Sequence, residues 1–297
     1  MAAGMSSVAG VKTISGLDAT NSNLLNFNAT EDLGGGLKAT ANIGVRFDVN
    51  MAATQTAFGK STGDQFVELS SATMGAVRAG TFTTYSPAPY SAFATWSTRT
   101  DSEISATSVN AVRYASPRIG GFAVNLSSFT PFIAFKAATD VAAGTGATGD
   151  KTQERGTQVL ATYVNGPLTV GFSQTNFAGA RGGNNQELRT IDGAYDFGVA
   201  KLFVQTWDGK NGASGSEINK GYGISANIPY QAFTFKVGMR KFDDATSLKT
   251  SKDRTSLGVT YSLSKRTTLL ALLANDKTIN AAATKTTNTY LGASHSF

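Results

Sequence analysis

Apolar and polar residues alternate with period two along most of the chain, and helical periodicity is hard to find. Segment 37–49 (GLKATANIGVRFDV from Gly36) places Leu37, Ile43 and Phe47 on one face and polar residues on the other. The same alternation recurs at 168–173, 222–228, 233–240 and 257–263. Alternation of this kind predicts β-strands with one apolar and one polar face.

Short breaks separate these strands at seven places and are rich in Gly, Pro, Asn and Asp, which are turn-forming residues. The breaks begin at Asp32, Ala72, Ser116, Asn165, Asp196, Pro229 and Ser264. Longer polar stretches lie between them at 130–154, 177–187, 208–219 and 276–286. Seven hairpins plus two terminal strands predict sixteen strands, with tight turns at one end and long loops at the other, as in outer-membrane barrels.

Composition agrees with a barrel in lipid and excludes several other classes of protein. Charged residues are 15% of the 297 residues, and no apolar run exceeds 269–274, too short for a membrane helix. The chain has no Cys and one His, His295, so thiol chemistry, disulfides and His-rich metal sites are excluded by count. The net charge is +6, but Lys and Arg are scattered singly, which argues against a nucleic-acid partner. In lipid every backbone polar group must be paired, so the sheet must close, with apolar residues outside and polar residues lining a water-filled lumen.

Five blocks in order resemble the trimeric general porins of Gram-negative bacteria, in their anion-selective proteobacterial branch. They are TEDLGGGLKA (30–39), VRYASPRIGGFAVN (112–125), YVNGPLTVGFS (163–173), YDFGVAKL (195–202) and LSKRTTLLA (263–271). The chain ends in SHSF, similar to the family's aromatic C-terminus. The resemblance implies one 16-stranded barrel domain over 1–297, a homotrimer in the outer membrane, contact with lipid and lipopolysaccharide, and passive passage of small hydrophilic solutes and ions. It also implies that a third loop, 81–108, folds inward as a constriction, and that Phe297 is an assembly signal.

Two stretches depart from the family's pattern. The strand before the TED block carries Asn23, Asn26 and Asn28 and no base where the family usually has one. Residues 6–17 make a poor first strand, since Val8, Val11 and Ile14 are their only bulky apolar anchors apart from Leu17.

The candidate constriction has a basic wall and a mixed loop. Charge facing lipid costs about 2–4 kcal/mol at midplane, so alternation directs basic side chains into the lumen. The predicted wall bases are Lys38, Arg46, Arg78 and Arg113, with Lys236 and Arg240 on the same polar face. The loop supplies Arg99, Asp101 and Glu103, and its four aromatics favour packing against the wall. Rings of bases select anions, which predicts a mild anion preference; the alternative is solvated lumen charge with no selective role.

Other functions make different demands on the chain. A barrel hydrolase would need His295, which is predicted on the lipid-facing surface. A structural, adhesive or partner-binding role for the barrel is the other alternative.

Aromatic residues near the predicted turns predict an interfacial girdle; they are Tyr114, Tyr163, Tyr195, Phe197, Tyr230 and Tyr261. No cofactor, metal or catalytic residue is expected.

Overall fold

The computed structural model describes residues 2–8, 11–15, 23–47, 62–84, 107–129, 155–180, 184–211, 217–244, 251–279 and 285–296. These ranges consist of strands and their connecting turns. The strands are β1 (Ala2–Val8), β2 (Val11–Ser15), β3 (Asn23–Gly34), β4 (Leu37–Phe47), β5 (Thr62–Ser71), β6 (Gly75–Thr84), β7 (Thr107–Ala115), β8 (Phe122–Phe129), β9 (Arg155–Asn165), β10 (Leu168–Ala180), β11 (Asn184–Asp196), β12 (Lys201–Asn211), β13 (Glu217–Tyr230), β14 (Phe233–Asp244), β15 (Ser251–Ser262), β16 (Thr267–Ile279) and β17 (Lys285–His295). Within these ranges no helix is long and apolar enough to cross a membrane.

Strands β3 to β17 form fifteen consecutive antiparallel neighbours in one sheet. Strand β1 pairs with β17, Met5 opposite Leu291, and brings the alternating array to the predicted sixteen. The last strand of the chain therefore pairs with the first. Between β3 and the β1–β2 hairpin, no ladder is present among the described residues.

Residues 6–17, a poor first strand by sequence, are divided in the structure, and their described residues belong to β1 and β2. The segment belongs to a hairpin in which β2 folds back on β1, with Val8 opposite Val11. Because β2 runs in the same direction as β3, it is an addition to the sixteen-strand array and not a member of the alternation.

All seven predicted short turns lie between consecutive strands. Gly75 shows why one of them needs glycine: its φ is +86°, and a Cβ there would lie 2.2 Å from the Ala115 carbonyl oxygen. Gln231, with a φ of 54°, is the one non-glycine residue with positive φ in the described ranges.

The opposite end of the sheet has shorter connections than the sequence predicts. Strands extend into three of the predicted loops, reaching Ala180, Asn211 and Ile279 before the next strands begin at Asn184, Glu217 and Lys285. The predicted loop at 130–154 lies outside the described residues. Of the predicted constriction loop 81–108, both ends belong to β6 and β7, and residues 85–106 lie outside the described ranges.

The two faces of the sheet differ as predicted. The outer face exposes bulky apolar side chains, including Ile224, Phe235, Val237 and Leu257. The predicted girdle is also on this face beside the short turns: Tyr195 and Phe197 have ring centroids 4.5 Å apart. Phe233 and Tyr261 lie 4.7 Å apart in the same belt. The inner face carries the polar and charged residues of the candidate site.

Candidate permeation path

Three charged side chains lie in register across β5, β6 and β7 on the inner face. Glu68 is the cross-strand partner of Arg78, and Arg78 is the partner of Arg113. Arg78 Nε donates to Glu68 Oε2 at 2.7 Å, with the two side chains 21% and 18% exposed. We call these residues the Arg113 row. It contains two bases and one acid, so one positive charge remains.

Aromatic rings hold both guanidinium groups of the Arg113 row. The Arg78 guanidinium carbon lies 3.6 Å from the Phe66 ring centroid, and that of Arg113 lies 4.9 Å from the ring of the fully buried Phe82. The Nε of Arg113 is buried and has no hydrogen-bond partner within the described ranges. Cation–π contact stabilises the charge without neutralising it. Arg113 is therefore the surplus base of this row.

The structure brings together only part of the predicted basic wall. Lys38 is exposed near the start of β4, two residues from Thr40, which is the cross-strand partner of Glu68. Arg46 is six residues beyond Thr40 at the other end of β4, roughly 20 Å along the strand, and its side chain lies outside the description. Arg78 is three residues from Gly75, so the Arg113 row lies roughly 10 Å from the short-turn end of the sheet.

The remaining predicted site residues do not lie at this wall among the described residues. The described ranges do not include Arg99, Asp101, Glu103 or the terminal Phe297. His295 is described: it is exposed on the outer face, and its Nδ1 lies 2.9 Å from Thr267 Oγ1.

A second row of two bases and one acid crosses β14, β15 and β16. Arg240 is the cross-strand partner of Arg254, and Arg254 is the partner of Asp276. Arg254 binds Asp276 through two nitrogens, with Nη2 donating to Oδ2 at 2.5 Å and Nε donating to Oδ1. Asn288 Nδ2 donates to Asp276 Oδ2 at 2.9 Å. This Arg254 row is more enclosed, since the paired side chains are only 10% and 11% exposed.

Sequence reasoning missed the acids of both rows. Glu68 and Arg78 flank the short turn at 72–74, and Arg254 and Asp276 flank the turn at 263–266. In a regular hairpin, residues at equal distances from the turn lie opposite each other. The position of each turn was therefore the signal in the sequence that could have identified these acid–arginine pairs.

Between the charged rows, uncharged and acidic polar side chains on β9 to β12 bind one another. Gln158 Nε2 donates to Thr175 Oγ1 at 2.8 Å, and the hydroxyls of Ser173 and Thr190 are 2.6 Å apart. Gln205 Nε2 donates to the buried Asp192 Oδ1. We call these six residues the polar wall.

One part of the inner face is apolar, contrary to the expectation of a uniformly polar lining. Leu270, Leu272 and Tyr290 form a buried cluster on β16 and β17. Gly258 on β15 leaves room for it, because a Cβ at Gly258 would lie 2.4 Å from Leu272 Cδ2. The strand-by-strand alternation therefore fixes which residues face inward, but not that they are polar.

No group of three or more His, Cys, Asp or Glu suited to a metal ion occurs within the described ranges. The arrangement offers bases, acids and hydrogen-bonding groups along an inner face. It can attract and orient ions and hydrophilic solutes.

Comparison with known proteins places this geometry in a family. A family model described as Gram-negative porin matches residues 2–281. No curated protein sequence matches the chain. Among solved structures, the anion-selective porin from Comamonas acidovorans is 22% identical with a TM-score of 0.74, covering 100% of this chain and 99% of that one.

Two further porin structures are similar over nearly their whole length. Salmonella typhi OmpF, solved in complex with daunomycin, is 11% identical with a TM-score of 0.74, covering 100% of this chain and 96% of that one. Vibrio cholerae OmpT in its trimer form is 13% identical with a TM-score of 0.69, covering 99% and 96%. The sixteen-strand antiparallel array, the apolar outer face and the family match agree: the chain belongs to the Gram-negative porin family of outer-membrane diffusion channels.

Proposed function

We propose that this porin admits small hydrophilic solutes and ions by passive diffusion and mildly prefers anions. The observation that carries the preference is Arg113, a base on the inner face that forms no ion pair within the described ranges. Glu68 already binds Arg78, so it offsets only one of the two neighbouring positive charges. A surplus base in a lumen raises the local concentration of anions and lowers that of cations.

The preference is expected to be small. At a distance of about 7 Å in a water-filled lumen, one unit charge changes the energy of an ion by roughly 0.6 kcal/mol, or about two- to threefold in permeability. Acids elsewhere on the inner face, including Asp276 in its ion pair with Arg254, limit the net effect. Salt weakens it further, since the screening length is about 10 Å at 0.1 M.

The proposal keeps the loop side of the constriction as predicted. Segment 81–108 would fold inward, and Arg99, Asp101 and Glu103 would face the basic wall. An acid pair opposite Arg113 would create a transverse electric field across the passage. The narrowed passage would admit small dipolar solutes more readily than large ones. Lys38, exposed near the periplasmic end, and Arg46 complete the proposed basic side.

The outer face of β17 and β1 supports assembly as a homotrimer. That face carries the small or polar residues Thr287, Thr289, Ala293 and Ser7 beside Leu291 and Met5. On β14, by contrast, the first four outward positions are all bulky and apolar: Phe233, Phe235, Val237 and Met239. Small and polar outer residues gain little from lipid and pack well against protein. The trimer form of OmpT supports the same number of subunits. The remaining outer face would contact lipid and lipopolysaccharide.

A catalytic role is not part of the proposal. The single histidine, His295, lies on the outer face and is bonded to Thr267. Outside the lumen it has no access to solutes in transit, and this position favours a structural role at the membrane interface.

Swelling of proteoliposomes tests the proposal with solutes of matched size. A neutral sugar should enter at a measurable rate, its acid derivative faster, and its amino derivative more slowly. Equal rates for the acid and amino derivatives would remove the anion preference while leaving the diffusion channel. The absence of swelling with all three would contradict an open pore.

A further inference from the structure

A second set of inner-face bases lies on β12, β13 and β14, separated from β7 by four strands. Lys201 is the cross-strand partner of Asn227, and Asn227 is the partner of Lys236. Lys201 alternates with the buried Phe203, and Asn227 alternates with the buried Ser225, so both side chains belong to the inner face. We call Lys201, Asn227 and Lys236 the lysine row.

Lys236 is placed on the same face by its neighbours. Phe235 and Val237, on either side of it, are 42% and 39% exposed on the outer face, whereas Lys236 is half-buried. The stem of Lys236 passes beside Gly258, where a Cβ would lie 3.6 Å from Lys236 Cβ.

No acid lies within the lysine row, and Asp196, the other cross-strand partner of Lys201, accepts a hydrogen bond from the Gly198 backbone N–H at 2.8 Å. Within the described ranges, neither Lys201 nor Lys236 takes part in a salt bridge, and Lys201 Nζ lies 5.5 Å from the centroid of the Phe203 ring. Between them, Asn227 Oδ1 is buried without a hydrogen-bond partner in the same ranges. A buried acceptor without a donor is costly, so this position favours a state in which a donor reaches it.

We propose that the lysine row is a binding station for hydrogen phosphate on the periplasmic side of the lumen. The two lysine Cα atoms lie roughly 10 Å apart, two strand spacings, so their long side chains can converge on one anion above Asn227. Two ammonium groups supply charged donors to phosphate oxygens. The phosphate O–H supplies the donor that Asn227 Oδ1 lacks.

This combination separates hydrogen phosphate from other anions. Neither chloride nor, at neutral pH, sulfate has an O–H to give to Asn227. The station lies near the periplasmic mouth, because Lys201 is the first residue of β12 and Lys236 the fourth of β14 after their turns. It rests on the proposed function, since the anion must enter through an open lumen.

Competition with chloride current tests the station. Purified trimer in a planar bilayer would carry current in KCl at neutral pH while inorganic phosphate, or sulfate in a parallel series, is added. We expect phosphate to reduce the current at lower concentration than sulfate. The variant Lys201→Gln/Lys236→Gln should weaken the phosphate effect by about tenfold or more, since each lysine donates a charge-assisted hydrogen bond.

Two single variants sharpen the result. Asn227→Asp places a carboxylate between the lysines and should abolish the phosphate effect, whereas Lys241→Gln removes one charge from the exposed outer face of the same β14 and should leave it unchanged. If the double lysine variant does not assemble, Asn227→Asp still tests the phosphate station.

Phosphate inhibition that persists in Asn227→Asp, or equal inhibition by phosphate and sulfate, would overturn the station. The proposed anion preference is judged separately, from the reversal potential of the unmodified protein in KCl without phosphate. A channel that prefers chloride but ignores phosphate would reject the station alone.

Discussion

The Arg113 row and the Arg254 row present the same order of charges on three neighbouring strands: an acid, an arginine bound to it, and a second arginine. They differ in their surroundings. Glu68 and Arg78 are about a fifth exposed, and the Arg78 guanidinium lies over the Phe66 ring. Arg254 and Asp276 are about a tenth exposed, and Asn288 adds a further hydrogen bond to the acid.

The comparison separates charge from function. An ion pair that is enclosed and bonded on several sides contributes to the stability of the barrel wall, because removing one partner leaves a buried charge. A pair that is more open contributes little stability but lets its surplus neighbour act on passing ions. We therefore expect the Arg254 row to respond to mutation in stability and the Arg113 row to respond in selectivity.

The largest expected effect is on stability. Arg254→Gln should lower the free energy of unfolding by about 3 kcal/mol, because the enclosed Asp276 carboxylate loses both arginine bonds. The matched change Arg78→Gln should cost about 1 kcal/mol, since Glu68 is more exposed and has Arg113 beside it. Urea unfolding in lipid vesicles, followed by tryptophan fluorescence, measures both. Equal losses would remove the distinction between the rows.

A backbone change beside the Arg113 row should have the next largest effect. Gly80 has a φ of +141°, and a Cβ there would lie 2.2 Å from the Gln65 carbonyl oxygen. Gly80→Ala should therefore cost about 2 kcal/mol and disturb the β5–β6 pairing that positions Arg78. Gly35→Ala is the control: its φ is +60°, but no atom lies within 4 Å, so about 1 kcal/mol is expected. The same unfolding assay compares them, and a smaller loss for Gly80→Ala would contradict the steric argument.

Changes of selectivity should be smaller and opposite in sign for the two members of the Arg113 row. Glu68→Gln releases the charge of Arg78 and should raise the ratio of chloride to potassium permeability about two- to threefold in about 0.1 M salt, where screening roughly halves the effect on each ion. Arg113→Gln removes the surplus base and should lower the ratio by a similar factor. Reversal potentials report both, and the double variant should return close to the unmodified value. Shifts of the same sign would show that charge at this row does not set selectivity.

The smallest effect should come from the ring under Arg78. Phe66→Leu removes the cation–π contact at 3.6 Å and should cost about 1 kcal/mol of stability. It leaves the charges in place, so the reversal potential should not move. Phe235→Leu on the outer face is a matched loss of one ring with no arginine beside it. A selectivity change with Phe66→Leu would mean that the ring, and not the charge alone, sets the preference.

Local patterns in the sequence predicted most of the fold. Alternation identified the strands and their faces, as the outer Phe235 and Val237 show, and turn residues such as Gly75 marked all seven short turns. The first strand could not be predicted, because residues 6–17 carry few anchors, and the hairpin at Val8 and Val11 depends on pairing with the distant β17.

The candidate site was predicted less completely, for reasons of register. The Glu68–Arg78 contact follows from counting outward from one turn, but the Arg78–Arg113 pairing spans the long segment between β6 and β7. No local signal fixes register across such a connection. Alternation also does not specify chemistry, so the apolar Leu270 and Leu272 on the inner face were not foreseen.

The reversal potential of the purified protein across a planar bilayer, under a tenfold KCl gradient at neutral pH, tests the central claim most directly. An open channel that prefers anions passes chloride toward the dilute side, so that side should become negative. A dilute side that becomes positive, or no conductance at all, would contradict the account.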